Sequence, residues 1–227
     1  MLTSLEIDDG VARIVLDDGK VNAMSFEMLT QIAGRLDEAA PHGGPVVLRG
    51  RPGIFSAGFD LKTFTRGPEA SLAMVRAGAD VILRILRHPR PVVTVCTGHA
   101  YPMGAFLMLA ADVRFGLAGP WKIGMNEVAI GLTVPHFALA LARHRLTPPG
   151  VARVSTAAMF DPVGALHHGY LDQICEAAEI EAAVDAELRR LKALDWTAYE
   201  ATKARLNDRV ADEIAAAARE YSPSMVA

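Results

Sequence analysis

The sequence predicts an α/β fold in which short parallel strands alternate with helices in a single domain. The 227 residues are 51% hydrophobic and 22% charged, as in chains that bury a sizeable core. After an opening hairpin, apolar runs of strand length alternate with helical patterns in the order strand, helix, strand, helix, strand, helix. From residue 126 onward the pattern is mostly helical.

The chain opens with a predicted β-hairpin. Two apolar runs, at residues 5–7 and Val11–Leu16, are separated by an Asp-Asp-Gly sequence that favours the backbone angles of a tight turn. A second Asp-Asp-Gly ends the second strand. Ser25 is the predicted N-cap of a first helix that extends to about Ala40, and the His-Gly-Gly-Pro that follows predicts a turn.

The middle of the chain repeats strands and helices. The predicted elements are a buried strand at residues 46–48, a helix at 71–86, a buried strand at 92–96, a helix at about 103–111 and a strand at 112–115. The first strand and the next helix are joined by residues 51–60. This segment is too rich in glycine for a helix and too apolar for an ordinary solvated loop, so we predict a loop of unusual character.

The C-terminal part of the chain contains three alanine-rich amphipathic patterns, at residues 177–194, 197–206 and 210–221. Such helices pack on their own domain or against another subunit. We therefore predict a core at residues 1–175 and a helical region at residues 176–227 that favours an oligomer.

The charge balance excludes several classes of partner. With 23 basic and 26 acidic residues the formal net charge is −3, so no broad positive field is expected to hold nucleic acid or an anionic membrane. The longest apolar stretch is far shorter than the ~20 residues that span a bilayer. The spacing of Cys96 and Cys175 indicates neither a disulfide framework nor a thiolate zinc site. We expect a cytoplasmic protein without a metal, nucleic acid or a membrane as partner.

Motifs for other common chemistries are absent from the sequence. No strand is followed by the Gly-x-Gly-x-x-Gly of dinucleotide sites, and no Walker phosphate loop occurs. Ser56 lacks the flanking glycine of the Gly-x-Ser-x-Gly nucleophile elbow. His167 and His168 are adjacent, so on a helix their side chains point about 100° apart and cannot face one metal ion.

Two segments can instead present backbone N–H groups to a developing negative charge. One comprises residues 56–60, and the other comprises residues 102–104 at a predicted helix start. Free amides at a helix N-terminus, together with the positive end of the helix dipole, stabilise an oxyanion such as the enolate of a thioester.

These segments and two others carry a resemblance to a known family. In chain order they are Val-Asn-Ala-Met-Ser at 21–25, Phe-Ser-Ala-Gly-Phe-Asp-Leu at 55–61, Gly-His-Ala-Tyr-Pro-Met-Gly-Ala at 98–105 and Asn-Glu-Val-Ala-Ile-Gly-Leu at 126–132. Together they resemble the crotonase family, the enoyl-CoA hydratases and isomerases, over nearly the whole chain. The resemblance implies a core of ββα repeats wound in a spiral, C-terminal helices that help to form a homotrimer or a dimer of trimers, and an acyl-CoA thioester as substrate.

The resemblance also assigns roles to residues. The backbone amides of Phe59 and Met103 correspond to the two oxyanion donors, although the family usually has Gly-Gly-Gly where this chain has Pro-Met-Gly. No separate cofactor is implied, because CoA is part of the substrate. Asp60 is also a typical helix N-cap. Six residues lie where family members line the CoA pocket: Asn22, Ala23, Ser56, Ala57, Asp60 and Lys62.

The expected chemistry depends on two positions. Hydratases of this family use two glutamates, of which the later corresponds to Glu127 and the earlier is occupied by Phe106, which cannot transfer a proton. A single carboxylate suffices for a 1,3-proton shift. The pattern therefore favours a 3-enoyl-CoA to 2-enoyl-CoA isomerase with Glu127 as the base. An apolar neighbour such as Phe106 is expected to raise the pKa of this carboxyl.

Two alternatives remain open. A hydratase could use another residue, such as His136, in place of the missing glutamate, and an acyl-CoA-binding protein could keep the pocket with little chemistry. Tyr101 is expected to be a packing residue. The depth of the acyl pocket is expected to depend on the helices around Phe64, Met74 and Phe137.

Overall fold

The computed structural model describes residues 1–222, which form ten strands and nine α-helices. The strands are β1 (Thr3–Asp8), β2 (Val11–Leu16), β3 (Val46–Arg49), β4 (Gly53–Ser56), β5 (Val92–Cys96), β6 (Gly98–Ala100), β7 (Val113–Leu117), β8 (Ile123–Gly124), β9 (Met159–Phe160) and β10 (Gln173–Cys175). The helices are α1 (Phe26–Ala39), α2 (Leu61–Phe64), α3 (Pro68–Leu86), α4 (Pro102–Ala110), α5 (His136–Arg145), α6 (Pro148–Val154), α7 (Pro162–His168), α8 (Ile180–Lys192) and α9 (Trp196–Glu220). Within these residues no helix has the length and apolar character needed to cross a lipid bilayer.

Six strands form the main sheet in the order β1-β2-β3-β5-β7-β10. The β1–β2 hairpin is antiparallel, as predicted, and every other neighbouring pair is parallel. All residues of β5 are buried, because this parallel sheet is covered on both faces. One face packs against a large apolar cluster that includes α1, α3 and α4, and the other packs against α8.

A second sheet of four strands, in the order β4-β6-β8-β9, runs beside the first. Strands β3, β5 and β7 of the main sheet are each followed in the chain by a strand of the second sheet, namely β4, β6 and β8. This repeated path through two sheets and a helix is the predicted ββα spiral, so the predicted fold class is confirmed.

The prediction of a loop at residues 51–60 is wrong for its first part, because Gly53–Ser56 forms β4. Its backbone pairs with β6, where Gly53 lies opposite Gly98. A Cβ added at Gly98 would lie 2.0 Å from the Gly53 carbonyl carbon, so this close pairing needs a glycine. A strand of four residues that begins with glycine is too short for the alternation of apolar and polar residues by which strands are recognised in a sequence.

Helix α4 lies at the centre of the molecule, with all of its residues buried. A Cβ added at Gly104 would lie only 2.8 Å from the Ser56 Cβ. The glycine therefore lets the end of β4 contact the first turn of α4. This contact brings together the two segments that were identified as sources of free backbone amides.

The chain ends in one long helix, α9, where the sequence predicts two helices at residues 197–206 and 210–221. The predicted break is wrong because residues 207–209 contain neither proline nor glycine. Asn207 faces the interior, where its Nδ2 donates to the Leu86 carbonyl over 3.1 Å. The division at residue 175 and the trimeric assembly stay predictions, and residues 223–227 of the predicted helical region lie outside the described residues.

Candidate active site

The N-terminus of α4 presents an unpaired backbone amide. The helix begins at Pro102, whose ring supplies the φ angle of a first helical residue, and no side chain caps it. Met103 is the second helical residue and therefore has no carbonyl one turn before it within the helix. Within residues 1–222 its N–H donates no hydrogen bond, whereas the Ala105 amide bonds the Tyr101 carbonyl over 3.0 Å.

A second unpaired amide belongs to Phe59, in the turn that follows β4. Phe59 forms an isolated parallel bridge with Met24, in which the Met24 amide donates to the Gly58 carbonyl (2.8 Å) and the Asp60 amide donates to the Met24 carbonyl (3.3 Å). In this pattern the N–H of Phe59, between the two bonds, points away from Met24. It has no hydrogen-bond acceptor in the described part of the chain.

Two glycines hold these amides next to each other. Gly58 has a φ of +86°, and a Cβ added there would lie 3.4 Å from Pro102 Cδ, so the turn contacts the start of α4. On α3, a Cβ added at Gly78 would lie 2.8 Å from the Phe59 ring and 3.1 Å from Met103 Sδ. The side chains of both amide-bearing residues therefore pack on the same small patch of α3. The structure brings together the two predicted oxyanion donors.

Asn22 and Ser56 hold the turn after β4 in place with side-chain hydrogen bonds. Both are fully buried. Asn22 Nδ2 donates to the carbonyls of Leu16 (2.9 Å) and Phe55 (3.2 Å). Ser56 Oγ donates to the Asn22 carbonyl (2.8 Å) and accepts from the Gly58 amide (3.0 Å). Because these polar groups are used within the protein, their clear role is to fix the path of the backbone.

The other residues predicted for the CoA pocket lie around the same turn. Ala57 is exposed and lines the cavity described below. Asp60 caps α2, accepting from the Lys62 amide (3.1 Å) and from Thr63 Oγ1 (2.8 Å), which confirms its predicted N-cap role. Lys62 is exposed, and Ala23 is half-buried in the segment that joins β2 to α1.

A cavity of about 270 Å³ opens at the turn after β4 and the start of α4, where Phe59 and Pro102 line it. Met103 follows Pro102 but is fully buried and is not among the lining residues found in residues 1–222. The cavity walls come from the turn after β4, the start of α4, helices α2 and α3, the segment before α5 and the end of α9. The lining residues are Ala57, Gly58, Phe59, Leu61, Phe64, Val75, Tyr101, Pro102, Asn126, Glu127, Ile130, Leu132, Thr133, Pro135 and Tyr221. Most of these side chains are apolar, as expected for a site that binds an apolar group and orients it with few polar atoms.

Glu127 is the one carboxylate among the lining residues found in residues 1–222. It begins a short 3-10 helix, Glu127–Ile130, which ends at Gly131 with a φ of +76°. The Leu132 amide closes the turn by donating to the Glu127 carbonyl over 3.0 Å. This turn directs the Glu127 side chain into the wall of the cavity, where it is only 6% exposed.

The carboxyl of Glu127 is buried and unpaired. Neither of its oxygens has a hydrogen-bond partner in the described part of the chain. Because burial disfavours the charged form, the pKa of Glu127 rises from 4.5 to about 7. Burial and, second, the nearby Glu127 charge also raise the pKa of Tyr170 above its ordinary range.

The predicted direction of the Glu127 pKa shift is confirmed. Phe106, which was expected to contribute, is fully buried in α4 and lies outside the set of lining residues, with its ring centroid 6.1 Å from that of Phe137. The cause of the shift is burial of the Glu127 carboxyl. His136 is exposed at the start of α5 and is also not among the lining residues within residues 1–222.

The helices expected to set the depth of the pocket do contribute to its wall. Phe64 of α2 and Val75, next to Met74 on α3, line the cavity, as does Pro135 directly before α5. Met74 and Phe137 themselves belong to the apolar core, and Tyr221 after α9 is a lining residue that the sequence did not indicate. Tyr101, expected to be a packing residue, also lines the cavity. Nothing in the local sequence pattern identifies Tyr221, since its position depends on how α9 packs.

Metal chemistry is not suggested by the side chains that lie together in residues 1–222. No three His, Cys, Asp or Glu side chains there are close enough to hold an ion. Phe59, with its free amide, and Glu127, with its raised pKa, line the cavity, and most of its walls are apolar. The free amide of Met103 lies directly after the lining residue Pro102. Such a set can stabilise an oxyanion and move a proton in a site with little water.

Comparison with known proteins agrees with this geometry. The chain matches the family model for enoyl-CoA hydratase/isomerase over residues 6–225. An enoyl-CoA hydratase/isomerase family protein from Pseudomonas syringae has a solved structure that is 41% identical, with a TM-score of 0.94 and 96% of each chain covered. An enoyl-CoA isomerase from Mycobacterium tuberculosis is 35% identical, with a TM-score of 0.91 and 96% of each chain covered.

A probable enoyl-CoA hydratase from Bacillus subtilis is 31% identical over 139 residues, which cover 60% of this chain and 53% of that protein. The similar proteins thus carry the names of both activities, and the crotonase resemblance of the sequence is confirmed. The chain is therefore a member of the enoyl-CoA hydratase/isomerase family, enzymes that act on CoA thioesters.

Proposed function

We propose that this enzyme is a 3-enoyl-CoA to 2-enoyl-CoA isomerase that uses Glu127 as its single acid–base group. The observation that carries the proposal is that Glu127 supplies the one carboxylate lining the cavity within residues 1–222, in a wall that also contains Phe59, with its free amide, and Pro102, which precedes the free amide of Met103. By the family resemblance, Phe106 stands where hydratases have their other glutamate, and this apolar, fully buried side chain cannot transfer a proton for the two-glutamate route to hydration.

The mechanism begins with binding of the thioester. Its carbonyl oxygen accepts hydrogen bonds from the N–H groups of Phe59 and Met103. These bonds strengthen as negative charge develops on the oxygen, so they lower the barrier to enolate formation. In enzymes that stabilise an oxyanion with hydrogen bonds, loss of one donor costs about 100- to 1,000-fold in rate.

Proton transfer then follows in two steps. The ionised Glu127 carboxylate removes a proton from C2, and the electrons of that C–H bond form a dienolate that extends from the thioester oxygen to C4. The Glu127 carboxylic acid returns the proton to C4, so the double bond moves from C3–C4 to C2–C3. No water, metal or redox cofactor is consumed. CoA leaves as part of the product, so no separate cofactor is needed.

The raised pKa of Glu127 suits both steps. A carboxylate with a pKa of about 7 is a stronger base than an exposed glutamate, and the acid formed from it is still strong enough to protonate C4 near neutral pH. Since the ionised form starts the reaction, kcat/KM should rise with pH up to about 7 and then level off.

The test is to follow the absorbance of the conjugated thioester with two substrates separately. With a 3-enoyl-CoA we expect the absorbance to rise, and with a 2-enoyl-CoA we expect no fall from water addition. Glu127→Gln should lose the rise, whereas Glu213→Gln, on the exposed side of α9, should keep it. A fall with the 2-enoyl-CoA would identify a hydratase, and binding without either change would identify an acyl-CoA-binding protein.

Isotopic labelling distinguishes one base from two. A 3-enoyl-CoA deuterated at C2 should give product with part of the deuterium at C4, because one carboxyl removes and returns the hydron within a site shielded from water. Complete loss of the label to solvent at every conversion would contradict transfer by a single buried carboxyl.

A further inference from the structure

Tyr221 lines the catalytic cavity from an unexpected direction. It directly follows the last residue of α9 and is separated by more than eighty positions from Pro135, the nearest other lining residue in the sequence. Its side chain is 8% exposed, so protein covers the ring. It shares the cavity wall with Phe64 of α2 and Val75 of α3.

The exposure of the lining residues distinguishes an outer end of the cavity from an inner end. The exposed members mark the mouth and are Ala57, Leu61, Ile130 and Thr133. Among the buried lining residues, Gly58, Pro102 and Glu127 belong to the reacting centre. This leaves Val75 and Tyr221, at 1% and 8% exposure, as the buried end of the remaining wall. The large polar CoA group has to stay at the mouth, so the apolar acyl chain extends inward towards Tyr221.

The position of Tyr221 is held by Arg76, the residue after Val75 on α3. Arg76 Nε donates to the Ala218 carbonyl (3.2 Å), and its Nη2 donates to the Arg219 carbonyl (3.0 Å). These are free carbonyls of the last turn of α9, at the negative end of its dipole. One side chain therefore ties the end of α9 to α3, which also lines the cavity.

We propose that Tyr221 closes the inner end of the acyl cavity and thereby sets the longest acyl chain the enzyme accepts, with Arg76 as its positioning residue. This inference rests on the proposed use of the cavity for an acyl-CoA. The cavity of about 270 Å³ is near the lower end of the ~300–1,000 Å³ typical of small-molecule sites. It therefore favours short chains over long ones.

The experiment measures binding of saturated acyl-CoA thioesters of increasing chain length by isothermal titration calorimetry. Saturated chains have no double bond to move, so binding is read without turnover. For the wild-type protein, affinity should increase by about fourfold per buried methylene and then stop increasing at a definite length. Tyr221→Ala should move this limit to longer chains, with at least tenfold tighter binding of the first chains beyond the wild-type limit.

Further variants separate a closing wall from a merely structural role. Tyr221→Trp should shorten the limit, and Tyr221→Phe, which keeps the ring, should retain it. Arg76→Ala should lengthen or blur the limit, Arg76→Lys should partly restore it, and Arg205→Ala, on an exposed position of α9, should leave it unchanged. The Trp variant also covers the case in which the alanine variant fails to fold.

An unchanged limit in both Tyr221→Ala and Tyr221→Trp would overturn the inference. The outcome is distinguishable from failure of the proposed function, because it is read from binding alone. If the wild-type protein isomerises no 3-enoyl-CoA yet the limit moves with Tyr221, the isomerase proposal fails and the chain-length role stands. If isomerisation occurs and the chain-length limit does not move, the isomerase proposal stands and the chain-length role of Tyr221 fails.

Discussion

Glu127→Gln should make the protein more stable above neutral pH while removing its activity. Glutamine keeps the shape of the side chain but carries no charge. Raising the pKa of the Glu127 carboxyl from 4.5 to about 7 means that its ionisation in the folded protein costs roughly 3 kcal/mol. The wild-type enzyme keeps this destabilising group because the proposed reaction needs a buried base, a known form of trade-off between stability and activity.

The pH dependence follows from the direction of the shift. Well below pH 4.5 the Glu127 carboxyl is protonated in both the folded and the unfolded state, so its ionisation does not reduce the free energy of unfolding. Between pH 4.5 and about 7 only the unfolded chain ionises, and the free energy of unfolding falls as the pH rises. Above about pH 7 the carboxyl is ionised in both states, and the free energy of unfolding falls no further on account of Glu127.

The assay is urea unfolding of the wild type and Glu127→Gln at pH 5 and pH 8. Other titrating groups cancel in the comparison of the two proteins. The stability of the variant relative to the wild type should increase by roughly 2–3 kcal/mol from pH 5 to pH 8. Glu213→Gln should change by less than about 0.5 kcal/mol. A difference between Glu127→Gln and wild type that is the same at both pH values would refute the reasoning.

Two other perturbations test the packing beside the candidate site and a buried ion pair elsewhere in the fold. At Gly78 even a Cβ atom would lie 2.8 Å from the Phe59 ring, so Gly78→Val should displace Phe59 and its amide. We expect kcat to fall about 100-fold and the free energy of unfolding to fall by about 1–3 kcal/mol. An unchanged kcat would contradict the packing argument. Gly34→Ala, in open space on α1, is the matched control and should gain about 0.5–1 kcal/mol with activity unchanged. Lys203→Met should lower the free energy of unfolding, measured with urea, by about 3 kcal/mol, because it leaves the Asp112 carboxylate without the buried ammonium that lies 2.7 Å away. The loss should not be larger, because this carboxylate is partly exposed and keeps a hydrogen bond from the Val92 amide. An unaltered urea midpoint would show that this pair contributes nothing.

Local sequence patterns were sufficient for much of the fold. The Asp-Asp-Gly turn between apolar runs identified the opening hairpin, and Ser25 caps α1 as predicted, accepting from the Met28 amide over 3.1 Å. The buried strands β3 and β5 were recognised from their continuous apolar residues. These features depend on turn chemistry, capping and burial of single elements, which neighbouring residues determine.

Elements that depend on pairing with distant residues were missed. Strand β4 exists because its backbone pairs with β6. Residues 207–209 contain no helix breaker, and the polar Asn207 is accommodated in the buried face of α9 because its side chain bonds residues of α3 and α5. Neither partner is adjacent in the sequence. A short glycine-containing segment and a polar helical stretch therefore look like a loop and a break until the chain is folded.

For the candidate site, the sequence was enough to indicate the candidate groups: the amides of Phe59 and Met103, and the carboxylate of Glu127. The folded structure was needed to identify Val75 and Tyr221 as cavity-lining residues. It also showed that the Glu127 carboxyl is buried without a partner. The physical reason is that residue type and local period are encoded along the chain, whereas cavity walls and desolvation arise where helices from opposite ends of the chain pack together.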